Sequence, residues 1–344
     1  LSTMASPISP QDEPQPESLG MSGEGPVGQS VARDVWEESK LAQLPELKAS
    51  DLRSPRKRRV LLPVLLFLAT CLSTFWVGAT DWMPLGPIGG FRSTDLMLTL
   101  NWGQGFVYMC AVLAILLTHE MGHFVFTLRY HTPASYPLFI PIPINPIGTM
   151  GAVIGMDGLK ADRKQLFDLG IAGPLAGLVV AVPIMWIGIV RLNLDGPAGE
   201  VSFSNPLLTK MLISYLRPSL SPDALVGIRQ LNPYFLAGWV GLLITGLNML
   251  PISQLDGGHV IYALFGKKSH TIARAFLVIS IIFIVIKINE AYIWTMMLIL
   301  VILMGADHPP TSDDTVPLGR VRWLIGIASL AIPILCFPLW GIKM

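Results

Sequence analysis

Charged residues are scarce in this sequence. They make up 14% of its 344 residues, where a soluble domain carries about 25%. That deficit, beside a hydrophobic share of 52%, excludes an ordinary water-soluble domain and points to a chain solvated by lipid. A dominant charge sign is missing too. The formal net charge is +1, so no phosphate-neutralising surface is implied and no nucleic-acid partner is expected. Cysteine is nearly absent. Cys71, Cys110 and Cys336 lie far apart in apolar stretches, which excludes a disulfide framework and a cysteine-held metal and makes buried spectators of them. No internal repeat is visible. The N-terminus also lacks the signal-peptide order of a short basic region followed at once by an apolar core.

Residues 1–51 are rich in Pro, Ser, Glu, Gln and Gly, with nine acidic and three basic side chains and no apolar period. Such a segment cannot bury enough apolar surface to offset its ordering entropy. It reads as a disordered acidic tail, taken here as 1–55, ahead of a membrane domain over 56–344. "RSPRKRR" (53–59) abuts "VLLPVLLFLATCLSTFWVG" (60–78), and about 20 apolar residues make a spanning helix. Basic residues beside a first span stay in the cytoplasm, which puts the N-terminus inside. Further spans are expected at 104–128, 167–190, 236–252, 271–288, 291–304 and 323–341. With this topology seventeen of the 24 Lys and Arg residues fall in inside segments, in keeping with the positive-inside rule. The expected fold class is an all-α polytopic integral membrane protein of about 6–7 transmembrane helices, with an extracytoplasmic loop near 191–235.

One apolar segment cannot be a span. "TPASYPLFIPIPINPIGTMGAVIGMDG" (132–158) contains Pro133, Pro137, Pro141, Pro143 and Pro146, which rule out a regular helix. Phe139, Ile140, Ile142 and Ile144 are apolar, and Gly148 and Gly151 bracket a flexible point. Irregular backbone at membrane depth is tolerated where protein or a water-filled cavity covers it. A re-entrant β-hairpin or loop meets that condition.

The chemistry is concentrated in "LLTHEMGHFVF" (116–126). His119 and His123 share one helix face at a spacing of four. Two imidazoles so placed can hold one Zn2+ ion, and Glu120 beside them can act on a zinc-bound water. Ionisable residues inside an apolar helix are costly and read as functional. Catalytic zinc takes three protein ligands and keeps one open position. The soluble-enzyme pattern, with a third histidine six residues on, fails because position 129 is Arg129. Asp256, in "LNMLPISQLDGGHV" (247–260), is the best third ligand, with His259 next and Asp157 weaker. Gly257 and Gly258 suit a tight turn there. His131, His270 and His308 sit at span ends and read as interfacial. "AGPLAG" (172–177) reads as a close-packing surface, and 305–320 as a polar cytoplasmic loop without chemistry.

"HEMGH" (119–123) with "NMLPISQLDGG" (248–258) resembles the site-2 protease family of intramembrane zinc metalloproteases. "PLFIPIPINPIGTMGAVI" (137–154), "DRKQLFDLGIAGPLAG" (162–177) and "DHPPTSDDTVPLGRVRW" (307–323) extend the resemblance over about 60–341, in the bacterial and plastid-like branch. The loop 191–235 is too short for a PDZ-like insertion, which places the chain in the branch without one. The resemblance implies that His119, His123 and Asp256 bind zinc and that Glu120 is the catalytic base and proton donor. It implies that Asn248 contacts the substrate backbone or its developing oxyanion. It implies further that the 137–154 hairpin, with Gly148, Thr149 and Gly151, pairs with an unwound substrate strand. Expected partners are single-span or membrane-anchored protein substrates and the lipid bilayer. The competing reading is a transporter or channel that passes metal ions or protons along intramembrane His and Asp. Glu120 between the histidines and the lack of a repeated half argue against it. The acidic, non-transit-like tail and the positive-inside pattern suit a bacterial inner membrane.

Overall fold

The computed structural model describes residues 60–85, 92–155, 161–195, 197–199, 201–252, 254–291, 294–305, 307–339 and 342–343. The tail expected over 1–55 and the candidate ligand Asp157 fall outside them. The described chain is mostly helical. Four helices among the described residues are long and apolar enough to cross a membrane by length and composition: Leu61–Ala79, Asn101–Arg129, Arg163–Val190 and Lys268–Ile286.

Helix α1 (Leu61–Ala79) is followed by α2 (Arg92–Arg129). Thr70, Thr74 and Thr80 turn their hydroxyls onto the carbonyls of Leu66, Thr70 and Trp76, which satisfies polar groups that an apolar medium would leave bare. The helices meet where Gly78 faces Gly105, with an ideal Cβ on Gly78 only 2.8 Å from the Gly105 Cα. Strands β1 (Leu138–Ile142) and β2 (Gly148–Val153) form an antiparallel hairpin, with Leu138 opposite Val153 and Ile142 opposite Gly148. The hairpin is hung on α1 by the Ser73 hydroxyl, which donates to the Gly148 carbonyl at 2.5 Å. Tyr108 of α2 holds the turn through the Ile147 carbonyl at 2.7 Å. Neither outer edge of this two-stranded sheet pairs with another strand among the described residues.

Helix α3 (Arg163–Val190) starts four residues earlier than the hydropathy suggested, because Asp162 and Gln165 form a reciprocal capping box. It carries Pro174 and Pro183 internally. The loop after it is built rather than loose. Short strands β3 (Ser202–Phe203) and β4 (Val226–Gly227) flank α4 (Leu207–Leu216), and Phe203 is fully buried. Helix α5 (Pro233–Asn248) begins at an Asn232 cap with Pro at its first turn. It presses into α3 at two glycines: an ideal Cβ on Gly188 would lie 2.5 Å from the Phe235 Cα, and one on Gly238 2.8 Å from the Met185 Cα. Small residues thus bring the backbones together, as in membrane helix bundles.

The remaining elements are α6 (Asp256–Phe265), α7 (Lys268–Ile286), α8 (Ile288–Ala291), α9 (Thr295–Met304), α10 (Arg320–Ser329), α11 (Ile332–Cys336) and β5 (Ile342–Lys343). Three expected spans differ here. The 236–252 helix stops at Asn248, ahead of Pro251. The 291–304 segment is a ten-residue helix. The 323–341 segment is broken, since Pro333 has no N–H to give a helix interior and instead sits in the first turn of α11. The glycines after Asp256 make no tight turn but lie in the first turn of α6. Cys336 is buried as expected, whereas Cys110 is exposed. Its position on the outward side of α2 needs no disulfide or ligand role.

The ends of these elements fix their direction. Arg274 near the start of α7 pairs with Asp307 just after α9, so α7 leaves that end of the bundle and the chain returns to it. Ser312 and Asp313 join the same end at the start of α3. At the opposite end, Trp294 donates to the Leu339 carbonyl and β5 pairs with β3. Outward faces are apolar: Leu72 is 70% and Val179 73% exposed, which suits lipid contact.

Candidate metal centre

Helix α2 presents His119 and His123 one turn apart on its inward face, where both are buried. Their Nε2 atoms lie 3.3 Å apart. Helix α6 brings Asp256, its first residue, so that Oδ2 is 3.3 Å from each Nε2. Among the described residues this is the one group of three that could hold a metal ion. The three donors form a triangle of equal sides. A tetrahedral ion with bonds of about 2.0–2.1 Å spaces its ligand atoms about 3.3–3.4 Å apart, so the triangle has the size that zinc requires.

The protons make the same point. His123 Nδ1 lies 2.8 Å from the Leu169 carbonyl, which only accepts, so Nδ1 carries the hydrogen and Nε2 offers a lone pair. Asp256 Oδ2 is buried without a hydrogen-bond donor. Electron pairs facing one another in a dry site repel unless a cation lies between them. Glu120 is buried to 4% exposure and interacts electrostatically with His119, His123 and Asp256. Asn248, the last residue of α5, sets its Nδ2 3.1 Å from His119 Nε2, beside the metal-facing atom.

The remaining candidates lie on the hairpin. Gly148 and Gly151 adopt positive φ of 81° and 95°, a region open chiefly to glycine. Thr149 is buried and its hydroxyl donates to the Ile140 carbonyl across the hairpin. An ideal Cβ on Gly151 would reach Ile244 of α5 at 3.7 Å, one turn before Asn248. His259 is not drawn into the triangle: its Nδ1 faces His308 at 2.6 Å.

Two residues that shape the centre were not singled out as such in the sequence. Helices α2 and α3 run antiparallel, so Gly173 faces His123 and Gly177 faces His119. An ideal Cβ would stand 2.0 Å from His123 Nε2 at Gly173, and 3.1 Å from His119 Nδ1 at Gly177. The signal was present in "AGPLAG": its two outer glycines repeat the spacing of four seen in His119 and His123.

A helical bundle with apolar outer faces and a buried His-His-Asp triangle defines a membrane protein built around a metal-type centre. The family model of peptidase family M50 matches residues 107–287, more than half of the chain, and the chain belongs to that family. It is the family of site-2 proteases that the motifs resemble, and a peptidase family does not favour the transporter reading. Among curated proteins the chain is similar to "Probable zinc metalloprotease EGY1, chloroplastic" of Oryza sativa subsp. japonica, 36% identical over 46% of this chain and 28% of that protein. The protein of the same description from Arabidopsis thaliana is 30% identical over 67% of this chain and 42% of its own length. "Probable zinc metalloprotease EGY2, chloroplastic" of Arabidopsis thaliana is 30% identical over 65% of this chain and 40% of that protein. The chain therefore spans less than half the length of these relatives.

Proposed function

We propose that the chain is an intramembrane zinc metalloprotease that cuts membrane-anchored or single-span proteins within or near their membrane segments. The observation that carries this reading is the 3.3 Å triangle of His119, His123 and Asp256 with Glu120 buried beside it. Those three residues would hold the ion. When bound, zinc supplies Lewis acidity, lowering the pKa of its water towards about 7 and polarising a carbonyl. Glu120 takes a proton from the attacking water, whose oxygen bonds to the peptide carbon. As the C–N bond breaks, Glu120 returns that proton to the leaving amine. Asn248 donates from its amide to the carbonyl oxygen as charge develops there.

A helical substrate hides its carbonyls in its own hydrogen bonds and must unwind first. The hairpin, with Gly148, Thr149 and Gly151, offers an unpaired strand edge to the opened segment. We place that hairpin at membrane depth, where α1 and α2 cover it. The catalytic domain is 56–344, preceded by the acidic tail, with 191–235 facing the non-cytoplasmic side. Seven traverses fit the directions of α1, α2, α3, α5, α7, the α8–α9 pair and the α10–α11 pair. The N-terminus is placed on the cytoplasmic side on the distribution of basic residues alone. The relatives' names carry "chloroplastic", so they lend no support to the expected bacterial inner membrane.

The test is to purify wild type and Glu120→Gln in detergent, then measure zinc content together with cleavage of a single-span substrate. We expect about one zinc in each, as one three-ligand site requires, and cleavage by wild type alone. A wild type that binds no zinc, or a Gln variant that cleaves equally well, refutes the assignment.

A further inference from the structure

His259 and His308 take no part in the triangle, yet they form the shortest imidazole pair in the molecule. His259 Nδ1 lies 2.6 Å from His308 Nε2, with the rings edge to face. His308 is 6% exposed although its neighbour Asp307 lies open to solvent. Its other nitrogen, Nδ1, is 2.5 Å from the Pro309 carbonyl. A carbonyl only accepts, so Nδ1 holds the proton and Nε2 presents a lone pair. Burial pushes the His308 imidazole below its ordinary pKa, which keeps it neutral. His259 must then donate from Nδ1, and the direction of the bond is fixed.

The loop that carries His308 is tied down on every side. Tyr262 stacks on the His308 ring at 4.5 Å and donates its hydroxyl to Asp314 at 2.9 Å. His270 donates to the His308 carbonyl at 3.1 Å. Ser312 donates to the Ala161 carbonyl, and Arg163 donates from its backbone to that of Asp313. The loop is thus a strap from the starts of α3 and α7 across α6. Helix α6 packs closely on α3 at the same residue: an ideal Cβ on Gly170 would lie 2.8 Å from the His259 Cβ and 3.0 Å from the Asp256 carbonyl. His259 stands one turn from Asp256 on the same ten-residue helix.

We propose that His308 is a positioning residue for the metal centre: by accepting from His259 it pins α6 against α3 so that the Asp256 carboxylate meets the two histidines. This rests on the zinc reading of the triangle. Outer partners that orient ligands change metal affinity by about 10–100-fold.

The test is zinc affinity by chelator competition on the full chain in detergent, with the thermal midpoint of the metal-free protein as a check on folding. His308→Phe keeps a ring to stack on Tyr262 but has no acceptor, and His308→Gln keeps an acceptor near the Nε2 position. We expect roughly tenfold weaker zinc binding for His308→Phe, near wild-type binding for His308→Gln, and similar midpoints. The reciprocal pair guards against a variant that fails to fold: His259→Asn keeps a donor and binds like wild type, whereas His259→Leu does not. Wild-type affinity in His308→Phe, or equal losses in His308→Phe and His308→Gln, overturns the proposal and leaves the zinc reading standing. A wild type without zinc overturns both.

Discussion

A methyl group at position 173 would stand 2.0 Å from His123 Nε2, inside any permissible contact. The neighbour it meets is a ring fixed by its bond to the Leu169 carbonyl, so it cannot swing away without leaving the metal. Gly173→Ala is therefore expected to cut zinc affinity and cleavage about 100-fold, at the top of the range for a disturbed ligand shell. Gly177→Ala, with 3.1 Å to His119 Nδ1, requires only a small shift and should lose much less. Zinc content and cleavage of both variants, side by side, check the ranking, and equal losses would contradict the cradle. Part of the candidate site was legible in the sequence. His119, Glu120 and His123 are polar residues in an apolar run, a contrast visible without a structure, and Asp256 was the best of three options for a third ligand because it follows an apolar span. Gly173 and Gly177 were not, because a small residue does not reveal what presses against it. The His259–His308 pair was hidden for another reason: 49 residues separate its members, and no local pattern links them.

At the scale of elements, the hairpin is joined to α1 by one buried bond, from Ser73 to the Gly148 carbonyl. Losing a buried hydrogen bond of this kind costs about 1 kcal/mol. If the hairpin receives substrate, Ser73→Ala should raise KM about fivefold, the equivalent of that energy, while zinc content stays at the wild-type level. Steady-state cleavage with a metal assay decides it, and a fall in zinc with KM unchanged would assign the hairpin to the centre instead. The hairpin was foreseeable because five prolines forbid a helix and the alternation of Pro and Ile favours extended backbone. The four long helices α1, α2, α3 and α7 were foreseeable because each carries a sustained apolar run. The short elements near the C-terminal end were not. Hydropathy merges α10 and α11, since it does not register that Pro333 cannot donate a hydrogen bond. It also gave no hint that Gly257 sits inside a helix, where its missing side chain admits the Met249 carbonyl (an ideal Cβ would lie 2.1 Å from it).

For the molecule as a whole, a metal held in the triangle would be a cross-link between distant parts of the chain. His119 and His123 belong to α2 and Asp256 to α6, with α3 wedged against both helices through Gly173 and Gly170. Without a cation, the same contacts hold buried electron pairs face to face, which opposes the packing that apolar burial favours. An ion that binds only the folded chain stabilises it by about 2.7 kcal/mol at a hundredfold excess over its Kd. For a chain of this size that corresponds to a rise of about 4 °C in the thermal midpoint. Adding zinc to chelator-stripped protein should therefore raise the midpoint of wild type and of Glu120→Gln alike, because Glu120 is no member of the triangle and is proposed to act on water. Asp256→Asn should lose most of the shift, since its amide offers a neutral oxygen in place of the carboxylate. Thermal unfolding of the three proteins with and without zinc separates the two roles. A full shift in Asp256→Asn would place the third ligand elsewhere, and a lost shift in Glu120→Gln would make Glu120 a ligand.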